Sequence, residues 1–461
     1  MKNFIQFVFK FLETLANVNL SPVMTARCLY VFFSTLYNAN SFYIGNETMV
    51  KTTDFPIHNI RIKKTVNDFF DYVILEFTIN HINTTLLSNS LNPFNFVTWF
   101  ELDSLKYTKF KLSRSVIINS MLDKINEYLL SRDNDGWKSA NTQKILPNGN
   151  YKIQTESLQN DIPENGWCPL NVNGTNQTPL HPSIELVRPV INNNYYTEFS
   201  ELYNNISQEQ KNKEYEEVYT KSLNLTDEEK MIAEFWSGGP NTIKPPGFWN
   251  LFLYTYHLNL NSSYTTMVKN FFLLNAGLFQ IGLCVWYAKY QIFQKRPIQY
   301  IRNMDEQSFS DFYFNDITSS KLWLPYQERN FVTPPFPDFI SGHSTFSAIG
   351  SEILNKLLGE NLLNLNLKIP GNQLKIICPL FTNKYDSIVS LSCINIYPKT
   401  SNIIENIYPT KMVNLRFNSW NDMSIQAGIS RIYGGIHIHS SNYPGIIVGK
   451  KVATDILDTF N

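Results

Sequence analysis

Residues 341–359 read SGHSTFSAIGSEILNKLLG, and this stretch decides what kind of fold the chain can adopt. Phe346, Ile349, Ile353 and Leu357 recur at spacings of three and four, which puts them on one face of an α-helix. Gly359 supplies a stop, because glycine enters helix-ending backbone conformations without a side-chain clash. The helix therefore opens at Ser341-Gly342-His343, where unpaired amides and the helix dipole favour a negatively charged guest. Gly342 lets the backbone approach such a guest closely. Ser341 fits equally well as a plain N-cap, and His343 as a polar first-turn residue.

Two segments further out carry the same chemistry. Lys289-x6-Arg296-Pro297 sets two cations seven residues apart, which on a helix means one face and two turns. Pro297 disfavours the α conformation at Arg296, so that helix is expected to end there. In Ser430-Arg431-Ile432-Tyr433-Gly434-Gly435-Ile436-His437, a third cation and an imidazole flank a glycine pair. Neutral near pH 7, His437 can serve as ligand or nucleophile. Each segment has a plainer alternative: a solvated Lys/Arg pair, a capping serine, a hydrogen-bonded core histidine. Together they offer three fixed positive charges, two imidazoles, a hydroxyl and a backbone amide, which suits phosphate or vanadate. His439 reads as a surface residue, and His58, His81, His181 and His257 lack comparable neighbours.

The rest of the chain is expected to be all-α, with minor β in an insertion over 360–420. Ser21-Pro22 reads as a cap and first turn running on to Tyr37, and Leu105–Leu130 as a second helix. Asn, Gly and Pro cluster over 133–189, which marks a loop insertion. That places a helical region with its insertion in 1–190 and a helical bundle carrying the anion site in 191–461. Thr226-Asp227-Glu228-Glu229 is a capping box, and Pro245-Pro246-Gly247 introduces a helix near Phe248. Another helix is expected from Ser441 or Asn442, with Pro444 in its first turn. Ile388–Ile396 is β-prone and reads as part of a covering loop or hairpin.

With 39 basic and 39 acidic residues the net charge is zero, so no basic field points to nucleic acid. The five cysteines are scattered and form no Cys-x-x-Cys pair, which argues for free thiols over a zinc site. The one long uncharged run, Phe271–Ala288, holds Asn275 and Gln280 and leads into Lys289. It reads as a buried core helix, not a transmembrane anchor. A soluble protein is expected, cytoplasmic rather than secreted, and an oligomer is compatible with the sequence.

In these residues the chain resembles the superfamily of vanadium-dependent haloperoxidases and type 2 phosphatidic acid phosphatases. The shared pattern is Lys-x6-Arg-Pro, then Pro-Ser-Gly-His, then Ser-Arg-x5-His-x3-Asp, and the likeness spans Thr226–Phe460. Thr333-Pro334-Pro335-Phe336-Pro337-Asp338-Phe339 and Trp286 look like the soluble haloperoxidase branch, and Asn19–Ala39 like the opening helix of bacterial relatives. The resemblance implies a vanadate cofactor held by Lys289, Arg296, Arg431, Ser341 and the Gly342 amide. It implies an axial bond to the metal from His437 and acid–base work by His343. Lys289 would polarise hydrogen peroxide, and Trp286 and Phe336 would line a halide pocket, although both also suit a plain core. Hydrogen peroxide, halide and a small organic molecule would be the partners.

Two positions depart from the pattern. Ile340 stands where the family has proline, and Ser441 where it has aspartate. A serine adds no negative charge beside the essential histidine, so weaker axial bonding is expected. An acid phosphatase working through a phosphohistidine, or an anion-binding relative without catalysis, are the alternatives to a haloperoxidase.

Overall fold

The computed structural model describes residues 2–18, 20–44, 116–140, 166–193, 195–240, 242–259, 262–304, 320, 323–328, 331–359, 365–369, 409 and 411–460. Twelve α-helices build the described part. In chain order they are α1 (Lys2–Val18), α2 (Pro22–Ile44), α3 (Val116–Asp133), α4 (Tyr196–Asn204), α5 (Gln208–Leu223) and α6 (Asp227–Phe235). There follow α7 (Lys244–Asn259), α8 (Tyr264–Ile292), α9 (Pro297–Ile301), α10 (Gly342–Leu358), α11 (Trp420–Tyr433) and α12 (His439–Phe460).

The expected caps are in place. Ser21 Oγ accepts the Met24 amide at 3.1 Å, and Thr226 with Glu229 closes a reciprocal capping box at the start of α6. Gly359 ends α10 at φ 88°. The helix expected over 105–130 is described from Val116, and its earlier part lies outside the described residues. α7 starts at Lys244, earlier than expected, because both prolines fit the unpaired first turn. α12 starts at His439, so Pro444 sits inside the helix and not in its first turn.

One expectation about the cations is corrected. α8 does not run to Arg296; Phe293 turns left-handed at φ 62° and closes it by donating its amide to the Lys289 carbonyl. Arg296 is extended and caps the next helix, α9, so Lys289 and Arg296 share no helical face. Pro297 acts as read, but as the opening of α9 and not the stop of α8.

α8 is the axis of the molecule. Among the described residues it is the one helix long and apolar enough to cross a membrane, yet 94% of that apolar window is buried within the fold. Two of its buried amide side chains are satisfied internally, as burial demands. Asn275 and Asn250 exchange side-chain hydrogen bonds at 2.7 and 2.8 Å, and Gln280 Oε1 accepts the amides of Val190 and Ile191. α2 lies along α8 through stacked rings, Tyr37 on Phe272 and Phe33 on Phe271, with centroids 4.3 and 4.7 Å apart. α10 packs against α8, α11 and α12, and α1 against α7. One hydrophobic cluster runs from Phe4 to Leu457, joining the early helices to the late ones. A buried ion pair between Arg27 and Asp135 fastens α2 to the turn after α3.

Strand content is minor. β1 (Asn171–Val172) and β2 (Thr175–Asn176) flank a turn at Asn173-Gly174. β3 (Leu365–Ile369) and β4 (Val413–Phe417) pair antiparallel, with Leu365 opposite Phe417 and Ile369 opposite Val413. β4 buries Val413, Leu415 and Phe417 on alternate positions, the period of a half-covered strand. The strands lie at the two ends of the 360–420 insertion; Ile388–Ile396 falls outside the described residues.

The contact of α10 with α7 is close enough to test. A Cβ on Gly350 would sit 2.3–2.8 Å from three atoms of the buried Trp249 ring. Gly350→Ala gains up to about 1 kcal/mol of helix propensity. Overpacking against a rigid indole costs about 1–3 kcal/mol or more, so the steric term should win. Denaturant unfolding should show a net loss of about 1–2 kcal/mol; an unchanged or higher stability would refute this packing.

Candidate active site

The ends of α8, α10 and α11, with the loops before α10 and α12, enclose a cavity of about 330 Å³. Trp286, Phe336, Gly342, His343, Arg431 and His437 stand on its wall. Leu20, Pro22, Leu180, Phe331 and Pro334 give it an apolar lining, and Lys244 and Gln327 contribute polar atoms. The sequence segments around 289, 341 and 431 are thus brought together. Lys289, Arg296 and Ser341 are fully buried and do not line the cavity.

His437 is the most tightly specified of these groups. Its Nδ1 lies 2.5 Å from Asp338 Oδ1. On the other side, Nε2 lies 3.2 Å from Arg296 Nη1. A guanidinium can only donate, so Nε2 must be the acceptor and the proton sits on Nδ1, on the carboxylate's side of the ring but not aligned with Oδ1 as a hydrogen bond. Burial lowers the imidazole to about 3, against the opposing pull of Asp338, so the ring is neutral at ordinary pH. Burial alone would raise the Asp338 carboxyl, but His437, Arg296 and Ser441 hold it below the usual range, so it is ionised. Its second oxygen accepts from Ser441 Oγ at 2.6 Å and from Gln294 Nε2 at 2.7 Å.

Arg296 is pinned by three further contacts. Nε donates to the Phe336 carbonyl at 2.9 Å, Nη1 to the Ile436 carbonyl at 2.8 Å, and Nη1 lies 3.7 Å from Asp338 Oδ1. Nη2 is buried with no hydrogen-bond partner in the protein. Burial lowers the group to about 10, which still leaves it cationic at neutral pH. Arg431 is held by the Ser430 hydroxyl at 3.0 Å and by the carbonyls of Ser237 and Ala233 at 3.2 and 3.3 Å. It too is lowered by burial, to about 9, and stays charged.

Lys289 does different work from the expected one in this geometry. All three of its ammonium protons go to backbone carbonyls, those of Pro337, Asp338 and Ile340. It clamps the loop before α10, and its charge reaches the cavity only from behind that loop. Phe336 lies between: Lys289 Nζ is 5.1 Å and Arg296 Cζ 5.0 Å from its ring centroid.

Ser341 caps α10, accepting from the Ser344 amide and hydroxyl at 3.3 and 3.1 Å. Its own amide donates to the Ser441 carbonyl at 2.8 Å, tying α10 to α12. His343 follows in the first turn with its Nε2 buried and unpartnered. Burial drives this ring well below the ordinary histidine value, with Arg431 and His437 pushing the same way. Gly238, at φ 54°, makes room beside it; a Cβ there would come within 3.0 Å of His343 Nε2. Trp286 and Phe336 are both core residues and cavity wall, their rings 4.8 Å apart, and the Trp286 N–H has no partner. His439 is exposed as expected, and His181 is buried against Ser21 Oγ at 2.6 Å.

Two features were not read from the sequence. Asp338 lay inside a quoted motif but carried no role, because spacing could not show that it faces His437. The Gly238 turn carried no motif at all. Cys28, Cys168 and Cys284 are buried, and none of the three is in a disulfide.

Residues 269–461 match the family described as the VCPO second helical-bundle domain. Over the whole chain the fold is similar to a bacterial vanadium-dependent iodoperoxidase, at 16% identity and a TM-score of 0.63. That likeness covers 98% of this chain and 94% of the other. It is also similar to a bacterial vanadium-dependent chloroperoxidase. The holo form gives 13% identity, a TM-score of 0.58 and coverage of 96% and 93%. The apo form gives 14% identity, a TM-score of 0.63 and coverage of 96% and 94%. No curated protein matches the sequence.

Proposed function

We propose, for a chain that belongs to the superfamily of vanadium-dependent haloperoxidases and type 2 phosphatidic acid phosphatases, that it is a vanadate-dependent haloperoxidase. Hydrogen peroxide and a halide would be its co-substrates, with a small organic molecule as the group halogenated. The observation that carries this is the neutral His437, its Nε2 3.2 Å from the buried Arg296 Nη1, on the wall of a cavity it shares with Arg431 and His343. The donor set suits an oxyanion. Arg296 Nη2, His343 Nε2 and the Trp286 N–H are buried polar atoms without protein partners, and each such atom costs stability unless a guest satisfies it.

Bound there, vanadate would supply a Lewis-acidic centre at which peroxide is activated towards halide. His437 Nε2 would hold it, in place of the long contact to Arg296. Arg296 and Arg431 would neutralise its oxygens, and the Ser341 hydroxyl and Gly342 amide would donate to them. Lys289 would add positive charge through the loop it clamps. His343, neutral and partnerless at Nε2, would take and return the proton of the incoming peroxide. Trp286 and Phe336 would exclude water from the halide's approach. The apolar surface of α8 is used within the bundle, which supports a soluble enzyme.

An acid phosphatase remains the second reading. The same Nε2 lone pair is a competent nucleophile towards phosphorus, and His343 could protonate the leaving oxygen. The apolar cavity wall favours the peroxidase. The two separate in parallel assays: halogenation of a dione with orthovanadate, peroxide and bromide, and hydrolysis of a chromogenic phosphate ester without vanadate. Vanadate-dependent halogenation supports the proposal; ester hydrolysis that vanadate inhibits supports the phosphatase; silence in both leaves an anion-binding protein without catalysis. His343→Ala should lower turnover by about 10²–10⁴-fold while orthovanadate affinity, read by calorimetry, changes little. Equal loss of both would argue against a proton-transfer role.

A further inference from the structure

We infer that Asp338 is the residue that orients His437, replacing from the loop before α10 the carboxylate that Ser441 fails to supply from α12. The inference rests on the proposed anion site for its purpose, but on side-chain geometry alone for its substance. Three residues stand in line: Ser441 Oγ donates to Asp338 Oδ2 at 2.6 Å, and Asp338 Oδ1 lies 2.5 Å from His437 Nδ1, a close pair not aligned as a hydrogen bond. Position 441 therefore still touches the carboxylate, but as a donor to it and not as its source.

The rest of the surroundings fit a carboxylate held in one orientation. Asp338 is fully buried. Oδ2 accepts hydrogen bonds from Ser441 Oγ and from Gln294 Nε2, so that oxygen is committed. Its backbone amide donates to the Gln294 carbonyl at 3.0 Å, and its carbonyl accepts from Lys289 at 2.9 Å. Arg296 supplies the countercharge that a buried carboxylate needs. Oδ1 is left to meet the imidazole. A carboxylate on Nδ1–H fixes the ring's tautomer and rotation and makes Nε2 a better ligand, the part that such partners play towards metal-binding histidines generally. The loss expected from Ser441 in the sequence is thereby offset from another segment.

A sharp test follows from the committed oxygen. In Asp338→Asn, the amide oxygen is claimed by Ser441 and Gln294, so the NH₂ must face His437. Only an unprotonated Nδ1 can accept it, which moves the ring proton to Nε2, the wrong nitrogen for binding an electrophile. Nitrogen-15 NMR of histidine-labelled full-length protein, assigned with a His437 variant, reads this directly without any anion. Wild type should show the Nδ1–H tautomer at His437 and Asp338→Asn the Nε2–H tautomer. Calorimetry with orthovanadate, and separately with phosphate, should show affinity lower by about 10–100-fold.

The paired variant Asp338→Ser with Ser441→Asp returns the carboxylate to α12 and should restore both the tautomer and affinity to within about tenfold. It also supplies the answer if the single variant fails to fold. A folded Asp338→Asn that keeps the wild-type tautomer overturns the assignment, as does a folded paired variant that recovers neither property. If wild type binds neither anion yet its tautomer depends on Asp338, the orienting role stands and only the anion-site proposal fails.

Discussion

Replacing His437 by alanine is expected to abolish turnover, by about 10⁴-fold or more, whichever of the two chemistries the protein performs. Both readings make its Nε2 the atom that bonds the central element of the anion, and no other described side chain offers a lone pair at that position. Lys244 lines the same cavity but donates to the Gly239 carbonyl, and His343, also on the cavity wall, has the proton-transfer role in both readings. Orthovanadate affinity should fall by at least about 100-fold, since removing groups that merely support a ligand costs about 10–100-fold. The fold should survive: Asp338 keeps Ser441, Gln294 and Arg296 as partners when the imidazole is gone. Far-ultraviolet circular dichroism would verify that, and a folded variant with wild-type turnover would remove His437 from the chemistry altogether.

Arg296→Met should produce the second largest effect, because it removes a charge and a structural tie together. The guanidinium bonds two backbone carbonyls from different loops, at Phe336 and Ile436, and is a countercharge to the buried Asp338. Breaking one partner of a buried pair costs about 3–5 kcal/mol. Lys289 remains on the carbonyl side of Asp338, so the lower end of that range is expected from chemical denaturation. Loss of the cation should also weaken orthovanadate binding by two orders of magnitude or so, by analogy with buried charge-assisted contacts worth about 2–3 kcal/mol. Arg296→Lys separates the two contributions. It keeps the charge but has no planar fork to span both carbonyls, so part of the affinity should return while the stability deficit persists. Unchanged stability and affinity in Arg296→Met would contradict the geometry at its centre.

Helical character was legible wherever local chemistry fixes an end. The Thr226–Glu229 box, the Ser21 cap and the Gly359 stop all act within a few residues of chain. The end of α8 was not legible in the same way. Phe293 takes a left-handed conformation that its side chain does not advertise, and Pro297, the visible signal, lies four residues further on. That shift matters for the site, since it detaches Arg296 from α8 and lets it reach the loop before α12.

That the segments of Trp286, His343 and Arg431 meet at one cavity was readable, because the motifs hold the residue types that suit an oxyanion, in order. The site's internal wiring was not. Lys289 looks like a ligand in sequence, yet its three protons close on carbonyls 48, 49 and 51 residues away. Asp338 and Ser441 are 103 residues apart, and only the packing of α10 against α12 makes the first a substitute for what the second lacks. Pairings of that kind follow from tertiary contact, and spacing along one chain does not encode them.

The central claim is that far-separated segments gather round a single anion, and a crystal structure with bound orthovanadate addresses it most directly. One tetrahedral or trigonal-bipyramidal anion should sit against His437 Nε2, with Arg296, Arg431, Ser341 Oγ and the Gly342 amide within hydrogen-bond reach and His343 facing it. An anion seated elsewhere, or one touching only a single segment while the other groups turn away, would contradict the account.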